Sequence, residues 1–136
     1  MQMNPYLNFN GNCEAAFNFY HACLGGQIIA MIRNSDTPAG AQAPADRQSK
    51  IMHARLLAGG HLLMGSDTPD EHYTTPKGFA VSISVDEPAE ADRIFAALAE
   101  GGSVRMPIQE TFWAMRFGMF VDQFGIPWMV NCEKPL

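Results

Sequence analysis

The sequence predicts an α+β fold of two tandem βαβββ modules, with mixed sheets curved into a cup and the helices outside. Three observations carry this reading. The apolar stripe Ala16, Phe19, Tyr20 and Cys23 returns 75 residues later as Ala91, Ile94, Phe95 and Leu98, each at the i, i+3, i+4, i+7 spacing of one helix face. Gly26, which closes the first helix, returns at the same distance as Gly101. Gly60, Leu63 and Met64 return 65 residues later as Gly125, Trp128 and Met129, matching one hairpin to another. A single unit of about 65 residues buries little core by itself, so the two units are expected to pack together. The reading is one domain over residues 1–136, with module one at about 1–70 and module two at about 78–136.

Each element has its own local signal. Tyr6 to Phe9 reads as a short strand, broken by Asn10-Gly11-Asn12, with Asn12 offered as a helix N-cap. The helix runs to about Leu24 and stops at Gly25-Gly26. Gln27 to Arg33 is a second strand, and the small, polar, Pro-rich stretch Asn34 to Ser49 reads as a mobile surface loop. Lys50 to Leu57 and His61 to Ser66 form a hairpin across Ala58-Gly59-Gly60, and Asp67 to Lys77 is a polar connection. Gly78 to Val85 restarts the pattern. Asp86 is the expected cap of a helix with Pro88 in its first turn and Gly101-Gly102 at its end.

From Met115 to Asp122 apolar Met115, Phe117, Met119 and Val121 alternate with Arg116, Gly118, Phe120 and Asp122. Period two over eight residues is a half-buried strand, and the first set is expected to face the core. Gln123-Phe124-Gly125 turns the chain into a returning strand, Ile126 to Asn131.

Nine basic against fourteen acidic residues give a net charge of −5. That excludes the basic field a nucleic acid or anionic membrane would need. No apolar run approaches membrane-spanning length, and the N-terminus has neither a basic n-region nor an apolar h-region, so no secretory signal is expected. Cys13, Cys23 and Cys132 form no CxxC pair. Reduced thiols in a cytoplasmic protein are the expectation.

The segments PYLNFNGNCEAAFNFY, MHARLLAGGHLLMGSD and QETFWAMRFGMFVDQFGIPWMVN closely resemble the PhnB-like branch of the glyoxalase/bleomycin-resistance protein/dioxygenase (vicinal oxygen chelate) superfamily. The resemblance spans nearly the whole chain apart from Asn34 to Ser49. It implies paired βαβββ modules, a homodimer (with modules exchanged between chains as one arrangement), and a divalent metal held by His and Glu from the first and last strands of each module. Carried over by position, those ligands fall near Pro5, Met64, Ala80 and Met129, none of which suits a hard or borderline cation. No cofactor is therefore expected. Relatives of this branch often carry a methyltransferase label. Asn10-Gly11-Asn12 supplies a single glycine, and a duplicated βαβββ chain leaves no room for a dinucleotide-type fold.

Candidate site residues follow from the strand faces. His53 lies on a strand whose core side is read as Met52, Ala54 and Leu56, so His53, Arg55 and Arg116 are expected to project into the cup. An imidazole can bind or move protons near neutral pH, and an arginine fork can hold an anion. The alternatives are a backbone-bonded histidine and salt bridges from the arginines to Glu110 or Asp122. Gln109 and Glu110, before Thr111 and beside Phe112-Trp113, read either as a prepared acid–base group with Trp113 as a stacking surface, or as turn and packing residues. Asp70, Glu71 and His72 read as solvated loop. Three functions remain open: a metal-independent small-molecule binding protein, comparable to bleomycin-resistance proteins that sequester a ligand; a metal-dependent lyase, isomerase or dioxygenase with a displaced site at His53 and Glu110; or a purely structural or regulatory dimer whose cup is filled by its own Met and Phe side chains.

Overall fold

The computed structural model describes residues 1–135, and the chain divides into two compact units, Met1–Thr74 and Thr75–Leu136. The first contains β1 (Tyr6–Phe9), α1 (Cys13–Leu24), β2 (Gln27–Arg33), β3 (Ile51–Ala58) and β4 (His61–Asp67). The second repeats the order with β5 (Val81–Ser84), α2 (Pro88–Ala99), β6 (Ser103–Gln109), β7 (Ala114–Val121) and β8 (Pro127–Glu133). Each unit forms one four-stranded mixed sheet, β1-β4-β3-β2 and β5-β8-β7-β6. The outer pairs β1–β4 and β5–β8 are parallel and the rest antiparallel. The predicted α+β architecture of paired βαβββ modules is therefore the observed one. Among the described residues no helix is long and apolar enough to cross a membrane.

In each unit one sheet face is covered by that unit's helix. Leu7, Phe9, Ala54, Leu56 and Leu63 are buried with Ala16, Phe17 and Tyr20 of α1. Phe17 thus takes the buried position that the sequence pattern assigned to Phe19, which is only half-buried against the Tyr20 ring. In the second unit Phe120, Trp128 and Val130 are buried with Ala91, Ile94, Phe95 and Leu98 of α2. Small residues let the helix approach. A Cβ on Gly118 would sit 2.6 Å from the Phe95 ring, and one on Gly65 would sit 2.8 Å from the Phe17 ring.

Helix entry differs from expectation. Asn12 occupies the N-cap position of α1 without a side-chain bond, and Glu87 rather than Asp86 occupies that of α2. The buried carboxylate of Asp67 supplies what Asn12 does not, accepting from Cys13 N (2.9 Å) and from Ile51 N (2.8 Å). It thereby ties the start of α1 to the start of β3 and the end of β4. A register shift opposite Ile32 and Arg33 turns Ile51 inward and Met52 outward. Met52 is 42% exposed and so is not the core residue the alternation predicted.

The stretch Asn34 to Ser49, predicted as a mobile loop, carries three short 3-10 turns and its own bonding network. Gln48 Nε2 donates to Gly40 O (3.0 Å) and Ala43 O (2.7 Å), and Asn34 Nδ2 donates to Arg47 O (2.7 Å). These side-chain bonds join backbone ones from the same stretch, among them Asn34 N to Lys50 O (2.9 Å) and Ser35 N to Gln48 O (3.0 Å).

The β7–β8 turn is organised by Asp122, which is 3% exposed. Its carboxylate accepts from Phe124 N (2.8 Å), Ile126 N (3.0 Å) and the indole Nε1 of buried Trp128 (2.8 Å). Removing an acceptor while its donors stay buried costs their desolvation. Asp122→Ala is therefore expected to lower stability by about 3 kcal/mol in urea denaturation at unchanged m-value. A loss below about 1 kcal/mol would contradict this role.

Candidate functional site

Strand pairing assigns every side chain to a face, because neighbours in register point the same way. In the first unit β1 pairs Tyr6 with Met64 and Asn8 with Ser66. Across β3, Met64 lies opposite Arg55, and β2 sets Ala30 beside Arg55 and Ile32 beside His53. Tyr6, Met64, Arg55 and Ala30 form one row on the face turned away from α1. Beyond it on the same face, Asn8 pairs with Ser66 and Ile32 with His53.

His53 and Arg55 thus share the helix-free face. The Tyr6 hydroxyl and His53 Nδ1 are hydrogen-bonded (3.1 Å), with the two rings stacked at 5.7 Å and 23°. Arg55 is half-buried, and its Nε is shielded from solvent with no hydrogen-bond partner. Tyr6 was not singled out from the sequence. The signal was there in β1 itself: Leu7 and Phe9 are buried at 1% and 0% exposure, so Tyr6 and Asn8 must point the other way.

Arg116 does not join them. It lies in register with buried Cys132, on the α2 side of its sheet. There its Nε donates to Asp92 of α2 at 2.7 Å, and its terminal nitrogen donates to Ile108 O at 3.4 Å. The expectation that Arg116 projects away from the core with Arg55 is corrected. So is the assignment of Met115, Phe117, Met119 and Val121 to the core face. Gly118 and Phe120 are buried under α2, while Met119 pairs with Met129, and Phe117 with Asn131, on the helix-free side.

On that side of the second unit one row reads Ser82, Met129, Met119 and Met106, and the next Ser84, Asn131, Phe117 and Gln109. Asn131 Oδ1 is buried without a partner. Trp113, 46% exposed, packs edge-on against Phe117 (5.5 Å) and Phe112 (4.9 Å). Gln109 is exposed at the end of β6, and Glu110 lies 3.4 Å from Lys134 Nζ with 72% of its side chain exposed. Thr111 closes the turn, its hydroxyl accepting from Ala114 N at 3.0 Å.

The superfamily's ligand positions can now be placed by register rather than by counting. Tyr6, rather than Pro5, pairs with Met64, and Ser82, rather than Ala80, pairs with Met129. Phenol, hydroxyl and thioether groups do not fit a divalent cation that needs carboxylate oxygen or imidazole nitrogen. Among the described residues no three His, Cys, Asp or Glu side chains come together as a metal set. Elsewhere in the first unit a polar recess of about 730 Å³ is lined by Asn10, Gly11, Arg47, Lys50, Asp70 and Glu71. Its cations are already engaged, Lys50 with Gly11 O (3.2 Å) and Arg47 with Asp67 O (3.3 Å).

Duplicated βαβββ units with a helix on one face and a mixed polar and apolar array on the other define the vicinal oxygen chelate class of folds. The chain belongs to the Glyoxalase/Bleomycin resistance protein/Dioxygenase superfamily, whose family profile matches residues 2–130. It is 34% identical over 142 residues to Protein YjdN of Escherichia coli K12, covering 98% of this chain and 97% of that one. It is 53% identical to protein PA1353 from Pseudomonas aeruginosa, whose crystal structure matches over 99% of both chains with a TM-score of 0.88. A structure described as a putative 3-demethylubiquinone-9 3-methyltransferase, PhnB protein, from Bacillus cereus shares the fold. That match has 22% identity and a TM-score of 0.81 over 97% of this chain and 99% of that one.

The cysteines do not extend the site. Burial pushes the Cys13 thiol far above its ordinary range, with Asp67 and Glu14 adding to the shift. Burial raises Cys132 as well, helped by Glu87 and Asp86. A thiol kept protonated is a poor nucleophile. Native protein at pH 8 is expected to leave both unmodified by iodoacetamide, read by intact mass and peptide mapping, and to react fully in urea. Rapid native labelling of Cys13 or Cys132 would contradict this.

Proposed function

We propose that the protein binds a small organic molecule on the helix-free faces of its sheets, without the superfamily's divalent metal, and works as a homodimer. The observation that carries the reading is the pair of rows on the first sheet. They set His53, Tyr6 and Arg55 beside Met64, while the positions where a cation would be gripped hold phenol, hydroxyl and thioether groups. A mixed wall with few polar groups is what small-molecule sites are made of. Gln109, Trp113 and Phe117 are the corresponding contact residues proposed on the second sheet. The same reading takes the protein to be cytoplasmic, in keeping with three buried cysteine side chains. Phe112 and Trp113, 87% and 46% exposed, are apolar area that a second copy would cover.

The alternative, an enzyme with a displaced metal at His53 and Glu110, has less support. His53 Nδ1 is engaged by Tyr6, and Glu110 by Lys134. Methyltransferase activity is disfavoured, since nothing in either unit offers a glycine-rich nucleotide loop.

Two measurements on the purified protein test the proposal. Elemental analysis after purification without chelator is expected to find Zn, Ni, Mn and Fe well below one per chain, with EDTA leaving the melting temperature unchanged. A metabolite screen by thermal shift is expected to find ligands that raise the melting temperature by about 5 °C at a hundredfold excess over Kd. Stoichiometric metal, or a screen with no stabilising compound, would count against it.

A further inference from the structure

Among the described residues Arg55 is a cation without a counter-charge. Its Nε is buried and unbonded, and its row and the next contain Tyr6, Met64, Ala30, Asn8, Ser66, His53 and Ile32, with no carboxylate among them. This occurs in a chain whose acidic residues outnumber its basic ones by fourteen to nine. Two other strand arginines are paired, Arg33 with Glu14 and Arg116 with Asp92, both at 2.7 Å, while Arg105 of β6 is exposed to solvent. A shielded Nε–H left without an acceptor is costly, and the planar guanidinium fork matches an oxyanion better than any neutral group. Beside it the stacked Tyr6 and His53 rings, 23° from parallel, and the Met64 side chain give aromatic and thioether contact surface.

We infer that the helix-free face of the first unit takes a small organic oxyanion, a carboxylate or phosphonate on a flat apolar body. Arg55 supplies the counter-charge, and Tyr6, His53 and Met64 support the body. The inference rests on the small-molecule reading above and narrows it to a ligand class. The second unit marks the asymmetry. Met119 occupies the position corresponding to Arg55, beside Met129 as Arg55 is beside Met64, so the charge is a property of one face only.

The test uses ¹⁵N-labelled full-length protein titrated with benzoate, phenylphosphonate and benzamide, following the Arg55 Nε–Hε resonance. At least one of the two anions is expected to shift it saturably, with affinity about tenfold or more above that of neutral benzamide; which one does so names the oxyanion. Arg55→Met, borrowing the residue of the sister unit, is expected to abolish the preference and, without ligand, to raise the melting temperature by on the order of 3 °C. Arg55→Lys is expected to keep part of the preference. Equal binding of benzamide, a preference that survives Arg55→Met, or a fall in melting temperature for that variant would overturn the inference and leave the small-molecule reading standing. If no probe moves any resonance of the face, both fall.

Discussion

A β-strand alternates its side chains between two faces, and in each unit the helix occupies one of them. That constraint sorts the molecule. Phe95 lies over Gly118, and Phe17 over Gly65, so closely that a methyl group at either glycine would collide with the ring. Once those contacts are made, the parity of the neighbouring strand residues is decided as far as the next register shift. Leu56, Leu63, Phe120 and Trp128 go under the helices. His53, Arg55, Phe117 and Met119 go to the other side.

Two sheets of one topology then carry different chemistry. The rows of the first hold Tyr6, Asn8, His53, Arg55 and Ser66, and the matching rows of the second hold Ser82, Ser84, Phe117, Met119 and Asn131. Thioether is common to both, at Met64 and Met129. Neutral donors and soft sulfur at the first and last strands are poor at holding a hard cation. Arginine and stacked rings are good at holding flat, charged organic groups. Among the described residues two buried side-chain polar atoms lack partners, Arg55 Nε and Asn131 Oδ1, and each belongs to the helix-free rows of its own sheet, where a buried polar group calls for a hydrogen-bond partner.

The element order, both helices, both hairpins and the duplication were legible in the sequence because they rest on periodicity and capping glycines. The faces of β7 were not, and the reason is one residue. Leu63 and Gly65 correspond to Trp128 and Val130, 65 positions later, but Ala54 and Leu56 correspond to Gly118 and Phe120, 64 positions later. The pair Leu57–Leu62 encloses four residues, whereas Val121–Pro127 encloses five, the longer turn being held by Asp122. Carrying the spacing of 65 back across that turn flips every side chain of β7. Composition reinforced the error, since Met115, Phe117, Met119 and Val121 are all apolar, while the true helix side includes Arg116 and Asp122. Those polar groups are tolerated because each is bonded, to Asp92 and to turn amides with the Trp128 indole. On β3 the parity of His53 and Arg55 follows from the strand's own residues, since Ala54 and Leu56 are buried.

The most direct test of this sorting is a ¹³C-edited NOESY spectrum of the full-length protein. Cross-peaks are predicted from the Phe120 ring and Arg116 side chain to Phe95 and Asp92 of α2, and from the Tyr6 ring to the His53 ring, with none from the Phe117 or Met119 side chains to α2. Contacts from Phe117 and Met119 to Ile94 or Phe95, with Phe120 and Arg116 silent towards that helix, would contradict it.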